Sequence, residues 1–307
     1  MISPAAVTLA RVHRRQVAAY LALAGIWGGS FVLLRQVVRA FGWVGAVSFR
    51  SLVACAILAG LAAAGRRRLS FGRWQPLAVV GATTVAGQLV GLSIATPLIG
   101  TALAAIFVAS IPLFAMLLGH VWGVEHVTRP GAAGLVLGFT GVALLVGFPA
   151  VPVTGSFVLG CACMLLSVVS AAVGSTYARR HLRDVGSWEQ TIGAFLAGGL
   201  LTLPLLVVVP VPRAPAPLDY AWLVLLAGAC SALAYVLYFR LVADVGATTA
   251  VSVEFLVTVV AVLVGALALG ERLSAVQVVG GVVVVAGCAL VLGLVGPPPG
   301  GASSVHG

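Results

Sequence analysis

Ten long apolar stretches follow one another along the chain, separated by short runs of arginine, proline, glycine and other polar residues. Each stretch is about 20 residues long, which is the length that an α-helix needs to cross a bilayer, and each is apolar on all faces. Strands of a membrane barrel would instead alternate over about ten residues. The pattern predicts an all-α integral membrane protein with ten transmembrane helices, over residues 17–38, 43–64, 77–98, 101–122, 131–150, 155–177, 188–210, 220–240, 248–269 and 275–295.

The composition agrees with a polytopic membrane protein. Hydrophobic residues make up 61% of the 307 residues and charged residues only 8%, whereas soluble domains carry about 25% charged residues. Residues 1–16 are expected to form a cytoplasmic N-terminal arm that is not a cleaved signal peptide, because the apolar run that follows is too long for one. Residues 296–307 are rich in glycine and proline and are predicted to be a disordered C-terminal tail.

The net charge of +10 comes from arginine, since the sequence contains no lysine. The arginines cluster between apolar runs, which is typical of topology signals and not of nucleic-acid binding, so we expect no nucleic-acid partner. With alternating spans, the N-terminal side carries twelve arginines and the opposite side four. Both termini are therefore predicted to be cytoplasmic, in a multi-pass protein of the cell (inner) membrane, with the twelve at positions 11, 14, 15, 66, 67, 68, 73, 129, 179, 180, 183 and 240.

The two halves of the sequence resemble each other. A shift of 146 residues places Glu125 on Glu271, which is informative because the chain has only seven acidic residues. The same shift superposes several small residues, with Gly100 on Gly246, Gly134 on Gly280 and Gly141 on Gly287. We expect one repeat over residues 17–150 and another over 155–295. A repeat of five spans must insert the second unit upside down, as in many secondary transporters.

Several motifs resemble those of the drug/metabolite transporter superfamily, in particular its ten-span EamA type. They are Trp27-Gly28-Gly29-Ser30-Phe31, Arg50, Pro112-Leu113-Phe114-Ala115 and the turn Leu269-Gly270-Glu271-Arg272-Leu273. The resemblance implies a metabolite exporter or permease, with a central cavity lined by spans 1, 3, 4, 6, 8 and 9. This chain has Thr258 where the family often has a proline in the ninth span.

Glu254 is the sharpest chemical signal in the sequence. It lies about two turns, or about 9 Å, into the ninth apolar segment. A carboxyl group at that depth must be protonated, paired or facing water. Glu254 is therefore the candidate for proton coupling, and the alternatives are a structural carboxylate bonded to Tyr235 or Tyr238 or a group exposed at the cytoplasmic mouth.

The candidate substrate cavity combines one arginine with polar and aromatic residues near the middle of their spans. Arg50 could attract an anionic group or pair with Glu254, or its long stem could snorkel to the interface in a structural role. Serine and threonine hydroxyls often bond to their own helix backbone instead of a ligand. The cavity candidates are Trp27, Ser30, Arg50, Gln88, Ser110, Ser170, Tyr235 and Thr258.

Glu125 and Glu271 end the fourth and ninth spans, and both are predicted to cap the next helix or brace the turn, because a carboxylate is stabilised at a helix N-terminus. The five cysteines lie in apolar runs without metal-ligand spacing. We predict no catalytic residue, metal or cofactor. Pairs of glycines four residues apart allow close helix packing, including at the face of a homodimer.

The sequence as a whole predicts a secondary transporter, not an enzyme, that exports a small metabolite such as an amino acid or a related amphipathic compound. No nucleotide-binding loop is present, so the energy would come from a gradient, with proton coupling as one option. Its partners would be the small-molecule substrate and the lipid bilayer. Two alternatives stay open: an intramembrane enzyme acting on lipid, and a non-transporting membrane subunit.

Overall fold

The described part of the chain is helical throughout, with no strand. A computed structural model describes residues 4–123, 128–147, 152–182, 184–245 and 253–291, so Glu125 and the predicted tail lie outside the described residues. All-helical structure is expected in lipid, because each helix satisfies its own backbone hydrogen bonds. The helices are α1 Pro4–Ala64, α2 Trp74–Ile99, α3 Thr101–Val121, α4 Arg129–Gly147, α5 Gly155–His181, α6 Ser187–Val207, α7 over 217–245, α8 Val253–Leu269 and α9 Ala275–Val291.

Six helical stretches in the described residues are long and apolar enough to cross a membrane. They belong to α1, α2, α3, α5, α6 and α7, and α3 is the most enclosed by the rest of the protein. Shorter apolar helices cover Arg129–Leu144, Leu256–Leu269 and Ala275–Leu290. The prediction of an all-α chain with several membrane-capable helices is therefore confirmed.

The first two predicted segments form one kinked helix. The sequence predicts a break between residues 38 and 43, and the two arms of α1 meet there, at Gly42, whose φ of +70° and ψ of 171° are not helical. A residue with a side chain rarely adopts that conformation, and glycine does so without cost. The apolar stretch Gln16–Ala64 has 49 residues, or about 70 Å of helix, which is enough for two crossings of a bilayer. The helix begins at Pro4, so the predicted N-terminal arm is largely helical.

Two helices change their winding at equivalent positions of the two halves. Helix α2 contains a π-helical segment at Gly81–Gly87, and α7 contains one at Gly228–Leu233. The shift of 146 residues that superposes the halves places Gly87 on Leu233, so the two segments end at the same repeat position. Because π-helical turns are rare and occur frequently at functional sites, these segments direct attention to the residues beside them.

Helices α4 and α9 pack backbone against backbone. A Cβ atom added to Gly141 would lie 2.7 Å from the carbonyl oxygen of Gly280, and one added to Gly287 would lie 2.7 Å from that of Gly134. The shift of 146 residues converts Gly141 into Gly287 and Gly134 into Gly280, so the two contacts are reciprocal. Such reciprocity is the signature of a two-fold arrangement, and it supports an internal repeat.

Candidate functional site

An aromatic cluster joins α1, α6 and α7 inside the protein. The ring of Trp27 lies 5.7 Å from that of Tyr235 in an edge-to-face arrangement and 5.6 Å from that of Tyr238. Phe195 extends the cluster, with its ring 5.2 Å from Tyr235. The Trp27 indole Nε1 donates to the carbonyl oxygen of Cys230 at 3.1 Å. Trp27 is thus fixed by a hydrogen bond at one edge and by tyrosine rings beside it.

The Arg50 side chain is buried next to this cluster. Only 8% of Arg50 is exposed, and its Nε donates to the hydroxyl of Ser231 at 2.8 Å. Ser231 belongs to the π-helical segment of α7 and is fully buried. Because a buried guanidinium needs acceptors for its donors, the altered winding of α7 supplies one. A snorkelling Arg50 would be exposed, so the burial favours a role inside the protein.

Glu254 lies in the first turn of α8, with its side chain half-buried. Tyr235 is within electrostatic range of both Arg50 and Glu254, and Tyr238 is within range of Glu254. Within the described residues, Arg50 and Glu254 do not form an ion pair of 4.0 Å or less. The two charged groups are therefore both near Tyr235 but do not form a direct ion pair with each other.

Four other cavity candidates bond to backbone carbonyls. Ser30 donates to Trp27 at 2.6 Å, and Ser110 donates to Phe107 at 2.6 Å. Thr258 donates to the carbonyl of Glu254 at 2.9 Å. Ser170 reaches from α5 to the carbonyl of Thr83 in the π-helical segment of α2, at 2.9 Å. These hydroxyls are engaged in helix structure, as serine and threonine in membrane helices often are.

Gln88 occupies the repeat position equivalent to Ala234, beside the π-helical segment of α2. The Gln88 side chain is half-buried, and the backbone carbonyl oxygen of Gln88 accepts from the Ser167 hydroxyl of α5 at 2.7 Å. The contacts recorded for Gln88 and Ser170 lie between α2 and α5 and not at the Trp27 cluster. Gln88 and Ser170 thus lie apart from the Trp27 cluster. Of the candidate residues, Trp27, Arg50, Tyr235 and Glu254 are the ones whose side chains the structure brings together at one site.

The hydroxyl and carboxyl groups of the cluster come from the second repeat. At a shift of 146 residues, Ser231 corresponds to Val85, Tyr235 to Leu89, Tyr238 to Leu92 and Glu254 to Val108. Every polar group that the second repeat contributes is replaced by an aliphatic one in the first. The site is therefore asymmetric: the first repeat contributes Trp27 and Arg50, and the second contributes the hydroxyl and carboxyl groups.

Sequence reasoning missed the two π-helical segments and Phe195. Each π-helical segment begins at a glycine, Gly81 or Gly228, within a run of small residues. That repeated glycine was the available signal, and it is weak in a chain with 38 glycines. Phe195 carries no signal of its own, because only the folded chain brings it to Tyr235.

Glu271 contacts a helix of the other repeat. Its carboxylate accepts from the backbone N–H groups of Thr101 and Ala102, at 2.8 and 2.9 Å, at the start of α3. Arg35 of α1 lies 3.9 Å from the same carboxylate. The sequence places Glu271 at the N-terminus of the next helix, and in the structure the helix that receives it is α3. This carboxylate, just after α8, thus links the first arm of α1 to the start of α3.

The described residues contain no group of three or more His, Cys, Asp or Glu side chains that could hold a metal ion. Their five cysteines are all free thiols, and four of them are buried. The side chains at the candidate site are thus an arginine, a carboxylate, hydroxyls and aromatic rings, which are groups that bind organic molecules by charge, hydrogen bonding and stacking.

Three comparisons place the chain among known proteins. An uncharacterized transporter of Archaeoglobus fulgidus is 24% identical over 183 residues, which is 59% of this chain and 63% of that protein. A solved crystal structure of a protein with 17% identity has a TM-score of 0.65 and covers 92% of this chain and 97% of its own. The EamA-like transporter family profile matches twice, at residues 16–147 and 158–293. Since these matches cover most of the sequence, the chain belongs to the EamA-like transporter family.

Proposed function

We propose that the protein is a secondary transporter that exports a small zwitterionic or amphipathic metabolite, such as an amino acid, across the cell membrane. The observation that carries the proposal is that Arg50 and Glu254 are both within electrostatic range of Tyr235, whose ring packs against Trp27. Arg50 can bind a substrate carboxylate, and the Trp27 and tyrosine rings can hold an ammonium group or an apolar side chain. Glu254 then carries the coupling proton, which it takes up on one side of the membrane and releases on the other.

Ten spans arranged as two inverted repeats, over residues 17–150 and 155–295, would provide alternating access. The kinked α1, the repeated π-helical segments and the reciprocal glycine contacts of α4 and α9 support this arrangement. Glu271 would hold Arg35 of α1 and the start of α3 beside the end of α8 in one state, and it would release them in the other. Rocking of the repeats about a central site then exposes it to each side in turn.

Transport by the purified protein in proteoliposomes tests this function. Amino acids and related zwitterions loaded inside the vesicles are expected to exchange with labelled substrate outside. Trp27→Ala is expected to weaken the apparent affinity for substrate by about tenfold, because a ring contact and a hydrogen bond are lost. The matched control is Trp74→Ala, since Trp74 is 67% exposed and remote in sequence from the cluster. Exchange that is absent for every zwitterion, or unchanged in Trp27→Ala, would contradict the proposed site.

Cysteine labelling tests the inverted topology. In a cysteine-free background, Ser70→Cys and Asp184→Cys are expected to react with an impermeant maleimide only from the cytoplasmic side, and Val153→Cys and Ala214→Cys only from outside. Ser70 lies in the first repeat, Asp184 and Ala214 lie in the second, Val153 lies between the two, and all four residues are exposed. Labelling of both pairs from the same side would rule out two inverted five-span units.

A further inference from the structure

A groove opens on the surface between α1, α6 and α7. Its volume is about 340 Å³, and its lining includes Ile57, Leu61, Arg67, Trp188, Gly228 and Leu233. Leu61 is 52% exposed and Leu233 is 49% exposed. Such exposed aliphatic residues in a membrane protein face hydrocarbon. The wall of the groove is therefore suited to an acyl chain.

The mouth of the groove is cationic. The Arg67 guanidinium carbon lies 4.6 Å from the centre of the Trp188 ring, which is a cation–π contact that holds the guanidinium plane and leaves its N–H groups available. In the part of the chain that the structure describes, no carboxylate forms an ion pair with Arg67. A positioned and uncompensated arginine above an apolar groove is complementary to a phosphate carried on an acyl chain.

The segment around Arg67 has the composition of a membrane-surface anchor. Residues 65–74 contain four arginines and no acidic residue. Two aromatic side chains of this segment are also exposed, Phe71 at 43% and Trp74 at 67%. Clustered arginines attract anionic headgroups, and tryptophan favours the headgroup level of the bilayer. The charge and the aromatic residues thus both indicate a lipid headgroup as the ligand at this end of the protein.

We propose that this groove, lined by Ile57, Leu61, Arg67, Trp188, Gly228 and Leu233, binds one anionic phospholipid. The headgroup phosphate accepts from Arg67, and one acyl chain lies along Leu61, Ile57 and Leu233. The groove wall includes the π-helical segment of α7, which also carries Ser231, the partner of Arg50. The bound lipid therefore packs on the segment that positions the buried arginine.

Two variants separate the headgroup from the chain. Arg67→Gln removes the charge at the mouth. Gly228→Leu fills the groove without changing charge, and the fold admits a side chain there because a Cβ atom on Gly228 would lie 3.5 Å from Ile57, an ordinary contact. Arg213→Gln is the control, since Arg213 is an exposed arginine already paired with Asp219 at 2.8 Å.

The experiment measures lipid binding to the delipidated full-length protein. Retained lipid is counted by native mass spectrometry, and thermal unfolding is followed with phosphatidylglycerol, phosphatidylcholine or inorganic phosphate added. Phosphatidylglycerol is expected to bind at one high-affinity site and raise the unfolding temperature, while phosphatidylcholine and phosphate have little effect. Arg67→Gln and Gly228→Leu should each weaken this binding at least fivefold, and Arg213→Gln should leave it unchanged.

Three outcomes would overturn the proposal. Equal binding of phosphatidylglycerol and phosphatidylcholine would show that Arg67 does not select for an anionic headgroup. Loss of binding in Arg67→Gln with full binding in Gly228→Leu would reduce the site to surface electrostatics without a groove. An equal effect of inorganic phosphate would identify a simple anion site that needs no acyl chain.

Discussion

Glu254→Gln is expected to abolish accumulation of substrate against its gradient while leaving binding and exchange intact. In the mechanism proposed here, Glu254 gains a proton from one side and loses it to the other. A charged carboxylate in a closed cavity is costly, so the empty carrier returns only when the proton is bound. Glutamine keeps the shape and hydrogen-bonding capacity of the side chain but cannot ionise. The variant should therefore equilibrate substrate without responding to a pH gradient.

The measurement is substrate accumulation in proteoliposomes at a series of imposed pH gradients. Glu254→Asp is expected to retain coupling with a shifted pH dependence, because the carboxyl group is kept and moved. Asp219→Asn is the matched control, since Asp219 lies in the first turn of α7, pairs with the exposed Arg213 at 2.8 Å and has no part in the proposed mechanism. If Glu254→Gln concentrates substrate with the pH dependence of the unaltered protein, Glu254 is structural.

The hydropathy pattern predicts the helices well because lipid allows the backbone few alternatives. It also predicts the break between the first two crossings, but it does not identify the residue at which the chain bends. Gly42 bends α1 by adopting a positive φ. The chain has 38 glycines, so the sequence alone does not show which of them makes the bend. The π-helical segments are missed for a related reason, since their residues have the same composition as the α-helix around them.

The candidate site is predicted in parts, and its assembly is not. Trp27 and Glu254 stand out because an indole ring and a carboxyl group are unusual at mid-span. Their relation to α7 depends on contacts between distant residues, such as the 203 positions that separate Trp27 from Cys230. Sequence spacing carries no information on such pairs. The same is true of Glu271, whose partners lie 169 and 170 positions away in α3.

The contact between α4 and α9 is a place where a single added methyl group should destabilise the fold. A Cβ atom on Gly141 would lie 2.7 Å from both the carbonyl oxygen of Gly280 and the nitrogen of Val284. These are backbone atoms, so no rotamer change can relieve the clash, and the helices must separate. Overpacking of this kind costs about 1–3 kcal/mol or more. Gly141→Ala is expected to lower the temperature of thermal unfolding by several degrees, and Gly287→Ala should do the same.

The control for this prediction is a helical glycine that has room for a methyl group. A Cβ atom on Gly60, in the second arm of α1, would have no neighbour within 4 Å. Gly60→Ala adds the same methyl group to a helix, and alanine has a higher helix propensity than glycine by about 1 kcal/mol. Gly60→Ala should therefore leave the unfolding temperature unchanged or raise it, when measured in the same detergent. Equal unfolding temperatures for Gly141→Ala and Gly60→Ala would show that α4 and α9 do not make this close contact, and the reciprocal packing that supports the internal repeat would be lost with it.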